Sequence, residues 1–170
     1  LSVCCETQEA DEAVLPSDGV SEELAGEARD CVLLVEDNED LLQILTDLLS
    51  PLYRVIIAMD GKAGYDKVVD GAPDLVVSDV MMPVMSGTEM CMKIKNNFDF
   101  CHIPVILLTA MTSDNSKMEG MQCGADDYIE KPFNNKLLLG RIANLLRNRK
   151  LLKKKFGTAV PDPPNPMYRR

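Results

Sequence analysis

Cys31-Val32-Leu33-Leu34-Val35-Glu36-Asp37-Asn38-Glu39-Asp40 is the stretch whose reading decides the fold. An unbroken apolar run over 31–35 predicts a short strand buried on both faces, the kind found in parallel sheets. The run stops abruptly at acidic residues. A helix is predicted at once over 40–49, where Leu41, Leu42, Ile44, Leu45, Leu48 and Leu49 recur at helical spacing and Pro51 follows the end. A strand, an acidic loop and a helix in close succession make half of a βαβ unit.

The unit recurs down the chain. Further strands are predicted over 53–58, 74–78, 104–108 and 127–129. Further helices are predicted over 61–69, 88–96, 113–123 with Gly124 as its cap, and 134 to about 155. Five apolar strands alternating with five helices predict the α/β class: a five-stranded parallel sheet, doubly wound, with helices on both faces in a three-layer sandwich. No internal repeat interrupts this pattern.

Composition sets the outer limits. The chain has 170 residues, 46% of them hydrophobic and 26% charged, with a net charge of −9. These values exclude wholesale disorder and fibrous classes. No run of about 18 apolar residues predicts a transmembrane helix, and Leu1-Ser2-Val3-Cys4-Cys5 lacks the basic and apolar regions of a signal peptide. The absence of an initiator Met suggests a piece of a longer chain. Residues 1–30 hold nine acidic residues and one basic, and read as an acidic disordered linker. Residues 31–148 read as the folded domain, and 149–170 as a basic helical extension followed by a proline-rich linker at 161–166.

The six cysteines form no C-x-x-C pair and there is one histidine, which argues against a zinc site and for free thiols in the cytosol. His102 and Cys101 are sequence neighbours in an extended segment, where side chains point apart, so they make a poor nucleophilic pair.

Ligands of open parallel sheets bind at the carboxyl ends of the strands. Here the first strand ends in Glu36-Asp37, the third in Asp79 and the fourth in Thr109, while Lys131 follows the fifth. Three carboxylates packed together repel unless a cation sits among them. Oxygen donors suit Mg²⁺ better than zinc. A lysine and a hydroxyl beside a metal suit a phosphoryl group, and a carboxylate can itself be the phosphoryl acceptor. Each residue also has a structural role to play alone: Glu36 to Asp40 as helix-capping acids, Asp79 in a turn, Thr109 as a strand-end residue, Lys131 at the surface and Gly87 in a turn.

Five blocks in order carry a resemblance: Val32-Leu33-Leu34-Val35-Glu36-Asp37-Asn38, Asp79-Val80-Met81-Met82-Pro83 with Gly87, Leu108-Thr109-Ala110, Gly124-Ala125-Asp126-Asp127-Tyr128, and Lys131-Pro132-Phe133. With them the chain resembles the receiver (CheY-like) domain of two-component response regulators, whose sheet is the flavodoxin-like (βα)₅ form. The resemblance implies that Asp79 is the phosphoacceptor. It implies Mg²⁺ held by Asp37, Asp79 and the backbone carbonyl of Met81, with Glu36 acting through water. It implies that Thr109 and Lys131 contact the phosphoryl group, that the Lys131-Pro132 bond is cis, and that Thr109 and Tyr128 are switch residues. The implied partners are a histidine kinase or phosphotransfer domain, and a second copy through the fourth helix, fifth strand and last helix. Contact with DNA would come only through an output domain absent from this chain; no direct membrane contact is implied.

The resemblance extends to receivers of hybrid proteins, with a kinase before and a transcription-regulating domain after, cytoplasmic or the cytoplasmic part of a membrane-anchored hybrid. It implies a signalling module rather than a conventional enzyme, with Mg²⁺-dependent phosphoryl acceptance and self-dephosphorylation only. Two alternatives stand beside it. A receiver-like interaction module would not take phosphate. A haloacid-dehalogenase-type phosphatase needs a second Asp two residues after the nucleophile, where this chain has Met81. Met81 and Met111 are candidates to shield an aspartyl phosphate from water. On the last helix, Leu138, Ile142, Leu145 and Leu152 form a heptad-like stripe. Its basic end reads as a solvated linker helix, with a phosphate-backbone contact as the alternative.

Overall fold

Each apolar run becomes a strand in the computed structural model, which describes residues 29–110 and 123–155. The strands β1 (Cys31–Val35), β2 (Arg54–Ala58), β3 (Leu75–Asp79), β4 (Val105–Thr109) and β5 (Asp127–Glu130) form one parallel sheet in the order β2-β1-β3-β4-β5. The described helices are α1 (Glu39–Leu49), α2 (Gly61–Gly71), α3 (Gly87–Asn96) and α4 (Asn135–Lys155). The predicted helix over 113–123, apart from Cys123, which stands in a turn, and the proline-rich stretch 161–166 lie outside the described residues, as do residues 1–28 of the predicted 1–30 linker, whose Asp30 is bonded to the fold. No described helix is long and apolar enough to cross a membrane.

Position in the sheet explains the composition of the strands. Every residue of β1 and β3 is buried, because both strands have neighbours on each side and a helix layer on each face. The edge strand β2 begins with the exposed Arg54 and is only half buried along its length. Alternate residues then serve opposite layers. Val32, Leu34, Val77 and Ile106 pack against Leu42, Leu45 and Leu49 of α1 and Leu138, Ile142 and Leu146 of α4. Leu33, Val35, Val76 and Leu107 pack against Val68 of α2 and Met90, Cys91 and Ile94 of α3.

Short polar caps start the helices directly beyond the strands. The Asn38 side chain accepts from the Leu41 N–H at 3.0 Å, and Asp60 accepts from the Ala63 N–H at 2.8 Å. Ser86 and Glu89 close a reciprocal capping box on α3. The loop after β1 therefore starts a helix and presents acids at the same time.

Two sequence expectations are refined. Strands β3 and β4 are shifted one residue along from the spans 74–78 and 104–108, with Asp79 and Thr109 as the last residues of their strands, as the site reading expects. On α4 the buried stripe is Leu138, Ile142 and Leu146, while Leu145 is half buried and Leu152 is 55% exposed. A straight helix lying on a sheet follows the 3.6-residue period, not a seven-residue one. Arg149 anchors the end of the stripe: its Nη1 donates to the Asp74 carbonyl at 2.7 Å and to Asp74 Oδ1 at 3.0 Å. Beyond it, every residue from Lys150 to Lys155 is exposed.

Candidate phosphoacceptor site

Because all five strands are parallel, their carboxyl ends reach one edge of the sheet. The chain leaving β1 brings Glu36 and Asp37 there, β3 brings Asp79, and the turn after β5 brings Lys131. One carboxylate oxygen from each of Glu36, Asp37 and Asp79 lies within 4.8 Å of the others. Glu36 is 2% exposed and Asp79 8%, whereas Asp37 faces solvent.

Lys131 reaches into this group. Its Nζ lies 3.1 Å from Glu36 Oε2 and 3.2 Å from Asp79 Oδ2. The Lys131 N–H donates to the Thr109 carbonyl at 2.7 Å, tying the turn after β5 to the end of β4. The Lys131-Pro132 bond is cis. The remaining carboxylate oxygens meet backbone donors: Glu36 Oε1 accepts from the Asn38 N–H at 3.2 Å, and Asp79 Oδ1 from the Met81 N–H at 3.4 Å.

Burial pushes the Glu36 carboxyl above its ordinary pKa, with the charge of Asp79 adding to the rise and the Asn38 and Lys131 hydrogen bonds opposing it. Burial pulls the Lys131 ammonium down, but the Glu36 hydrogen bond and the charges of Asp79 and Glu36 outweigh it and the net shift is upward. One ammonium against three carboxylates leaves the cluster with surplus negative charge. An all-oxygen donor set with that surplus fits a hard divalent cation such as Mg²⁺.

The other residues singled out by sequence fall as follows. Thr109 is half buried and opposite Glu130 in the ladder, one residue beyond the Asp79–Leu108 pairing. Tyr128 is half buried against the layer of α2 and α3, with its hydroxyl 3.5 Å from Cys123 Sγ. Burial, with Cys123 beside it, raises the phenol pKa. Met81 is 76% exposed, two residues after Asp79. Met111 lies outside the described residues. His102 is exposed in the turn before β4.

Gly87 has a tighter role than a turn. A Cβ there would meet the Asp79 carbonyl oxygen at 2.0 Å, and its N–H donates to the Val80 carbonyl at 2.9 Å. Only the bare backbone of Gly87 lets α3 start so close to the end of β3. The glycine was visible in sequence, but a long-range contact of this kind has no local signal.

Known proteins share this fold. A family model described as the response regulator receiver domain matches residues 32–143. Histidine kinase P4 of Formosa agariphila is 42% identical over 146 residues, covering 86% of this chain and 11% of that protein. Hybrid signal transduction histidine kinase D of Dictyostelium discoideum is 41% identical over 119 residues, covering 70% of this chain and 8% of that protein. The chain thus spans about a tenth of the length of these curated relatives. Among solved structures, the signal receiver domain of a signal transduction histidine kinase from Syntrophus aciditrophicus superposes with a TM-score of 0.68 at 32% identity, covering 70% of this chain and 91% of that one.

Proposed function

The chain belongs to the response regulator receiver family of two-component signalling, and on that premise we propose that it takes a phosphoryl group from a phosphohistidine onto Asp79. The observation that carries this reading is the Lys131 ammonium held between Asp79 and Glu36, beside three converging carboxylates. An Asp79 oxygen forms the new P–O bond, the P–N bond to the donor imidazole breaks, and the imidazole nitrogen leaves with the electron pair. Lys131 supplies positive charge where the phosphoryl oxygens arrive. Thr109, at the end of the neighbouring strand, supplies the hydroxyl donor. The donor set fits Mg²⁺ held by Asp37, Asp79 and the Met81 carbonyl, with Glu36 acting through water. When bound, that ion neutralises charge on the transferring group.

In this reading Thr109 and Tyr128 form the switch, biased by the added charge at Asp79. The receiver occupies 31–148, preceded by an acidic linker and followed by a basic helical extension and a proline-rich linker. It is a signalling module whose only chemistry is phosphoryl acceptance and self-dephosphorylation. Its partner is a histidine kinase or phosphotransfer domain in the cytoplasm. The kinase names of its relatives support a place in a hybrid protein, with transcriptional output and DNA contact left to a separate domain. Pairing of two copies through the helix predicted over 113–123, β5 and α4 belongs to the same reading.

The test is mass spectrometry after incubation with acetyl phosphate, with and without Mg²⁺. A phosphoryl adduct that needs Mg²⁺, maps to Asp79 and is lost in a folded Asp79→Asn variant is the expected result. A folded chain that forms no adduct and does not bind beryllofluoride would instead be a receiver-like interaction module.

A further inference from the structure

At the opposite edge of the sheet the charge reverses. Helix α4 contains no acidic residue, and its last nine positions carry Arg147, Arg149, Lys150, Lys153, Lys154 and Lys155. Residues 1–28 hold eight acidic residues and no basic one. The described chain begins beside the basic end of α4. Lys150 Nζ lies 2.9 Å from Asp30 Oδ2, and the Asp30 carbonyl accepts from the Arg54 N–H at 2.9 Å. Asp30 is therefore fastened to both α4 and β2, and the acidic segment joins the fold beside the basic end of α4. A groove of about 370 Å³ lies at this junction, lined by Tyr53, Leu146 and Leu151, by the cationic Arg147, Lys150 and Lys154, and by the Asp30 carboxylate that pairs with Lys150.

We propose that this groove is the docking surface for the acidic segment preceding Asp30, with Glu22, Glu23 and Glu27 against Arg147, Lys150 and Lys154, and Leu24 on the apolar lining. Reach is sufficient. Glu27 stands three residues before Asp30 and Glu22 eight. An extended chain covers roughly 3.3–3.6 Å per residue, whereas the helix from Lys150 to Lys155 rises only about 1.5 Å per residue. Exposed ion pairs are individually weak. Here, however, several act together, and the tether gives the segment a high effective concentration at the groove.

The competing occupants are less suited. A second copy brings the same basic helix and a net charge of −9. A nucleic acid would meet the eight carboxylates of residues 1–28 as well as the lysines.

Zero-length carbodiimide cross-linking of the full chain, with peptide mapping, tests the proposal. The exposed Lys62–Asp66 pair, 3.1 Å apart, is the internal standard. Glu22 and Glu23 are expected to link to Lys150 and Lys154 at least tenfold more than to Lys62, Lys67 or Lys136. Relative to the standard, these links should fall severalfold in 1 M NaCl, where screening is short-ranged. The triple variant K150E/K153E/K154E, shown folded by circular dichroism, should lose them. An even spread of links over all accessible lysines overturns the proposal. So do links found only between copies in a mixed ¹⁴N/¹⁵N sample, and duplex DNA that binds α4 equally with and without residues 1–28.

Discussion

A Cβ placed on Gly87 would lie 2.0 Å from the carbonyl oxygen of Asp79. The obstructing atom is backbone at the end of a fully buried strand, so it cannot move aside as a flexible side chain would. Gly87→Ala should therefore destabilise the domain by about 1–3 kcal/mol and lower phosphoryl acceptance by displacing Asp79. Gly140 is the control. It lies in α4, and a Cβ there would have nothing within 4 Å, so Gly140→Ala should stabilise by about 0.5–1 kcal/mol. Thermal unfolding of both variants checks the sign; a Gly87→Ala protein as stable as the parent would disprove the close approach.

The raised pKa of Glu36 predicts a pH dependence. A carboxyl whose folded pKa exceeds its unfolded value subtracts stability once ionised. The subtraction is absent below the unfolded pKa and complete above the folded one. In chelator-treated protein the melting temperature should therefore fall more steeply than in Glu36→Gln as pH rises from the ordinary glutamate value through the raised folded one. Lys131, shifted upward, stays charged throughout that window. Melting curves of the two proteins at matched pH decide it, and identical slopes would remove Glu36 as the cause.

Adding Mg²⁺ should reverse that loss. A cation among Glu36, Asp37 and Asp79 stabilises the folded state by about 1.4 kcal/mol at tenfold excess over its Kd. The gain should shrink as the carboxylates protonate and be reduced in Asp37→Asn. A melting temperature that ignores Mg²⁺ at neutral pH would count against the donor set.

The α4 stripe makes a packing prediction. Leu146 is 4% exposed and Leu152 55%. Leu146→Ala should cost about 2–4 kcal/mol, and Leu152→Ala no more than about 0.5 kcal/mol. Denaturant titration of the pair separates a helix lying on the sheet from a heptad seam, which would make both substitutions costly.

Val84, at φ +67° in the loop after β3, is a β-branched residue in the left-handed region, with its side chain 78% exposed. Relief of that backbone should outweigh the added unfolded-state freedom of glycine, so Val84→Gly is expected to raise stability by about 0.5–1 kcal/mol. A lower melting temperature in the variant would show that the valine is not strained there.

Much of this was legible in the chain itself. Cys31–Val35 and Leu75–Asp79 announce central parallel strands, because burial on both faces leaves a continuous apolar run. Asp79 and Thr109 announce a site because parallel strands end at a common edge, so residues far apart in sequence must come together there. The caps Asn38, Asp60 and Ser86 are local as well, each acting on an N–H three residues ahead. Tertiary structure alone decided the rest. Lys131 pairs with Glu36, 95 residues away, as well as with Asp79, because the turn after β5 is drawn to Thr109. Leu146 rather than Leu145 is buried because the roll of α4 is set by the sheet and by the Arg149–Asp74 anchor. Gly87 is required because two backbones meet there. Periodicity and strand order are properties of neighbours along the chain, whereas the rotation of a helix, the choice of an ion's partner and the closest approach of two segments depend on which surfaces fill the same space.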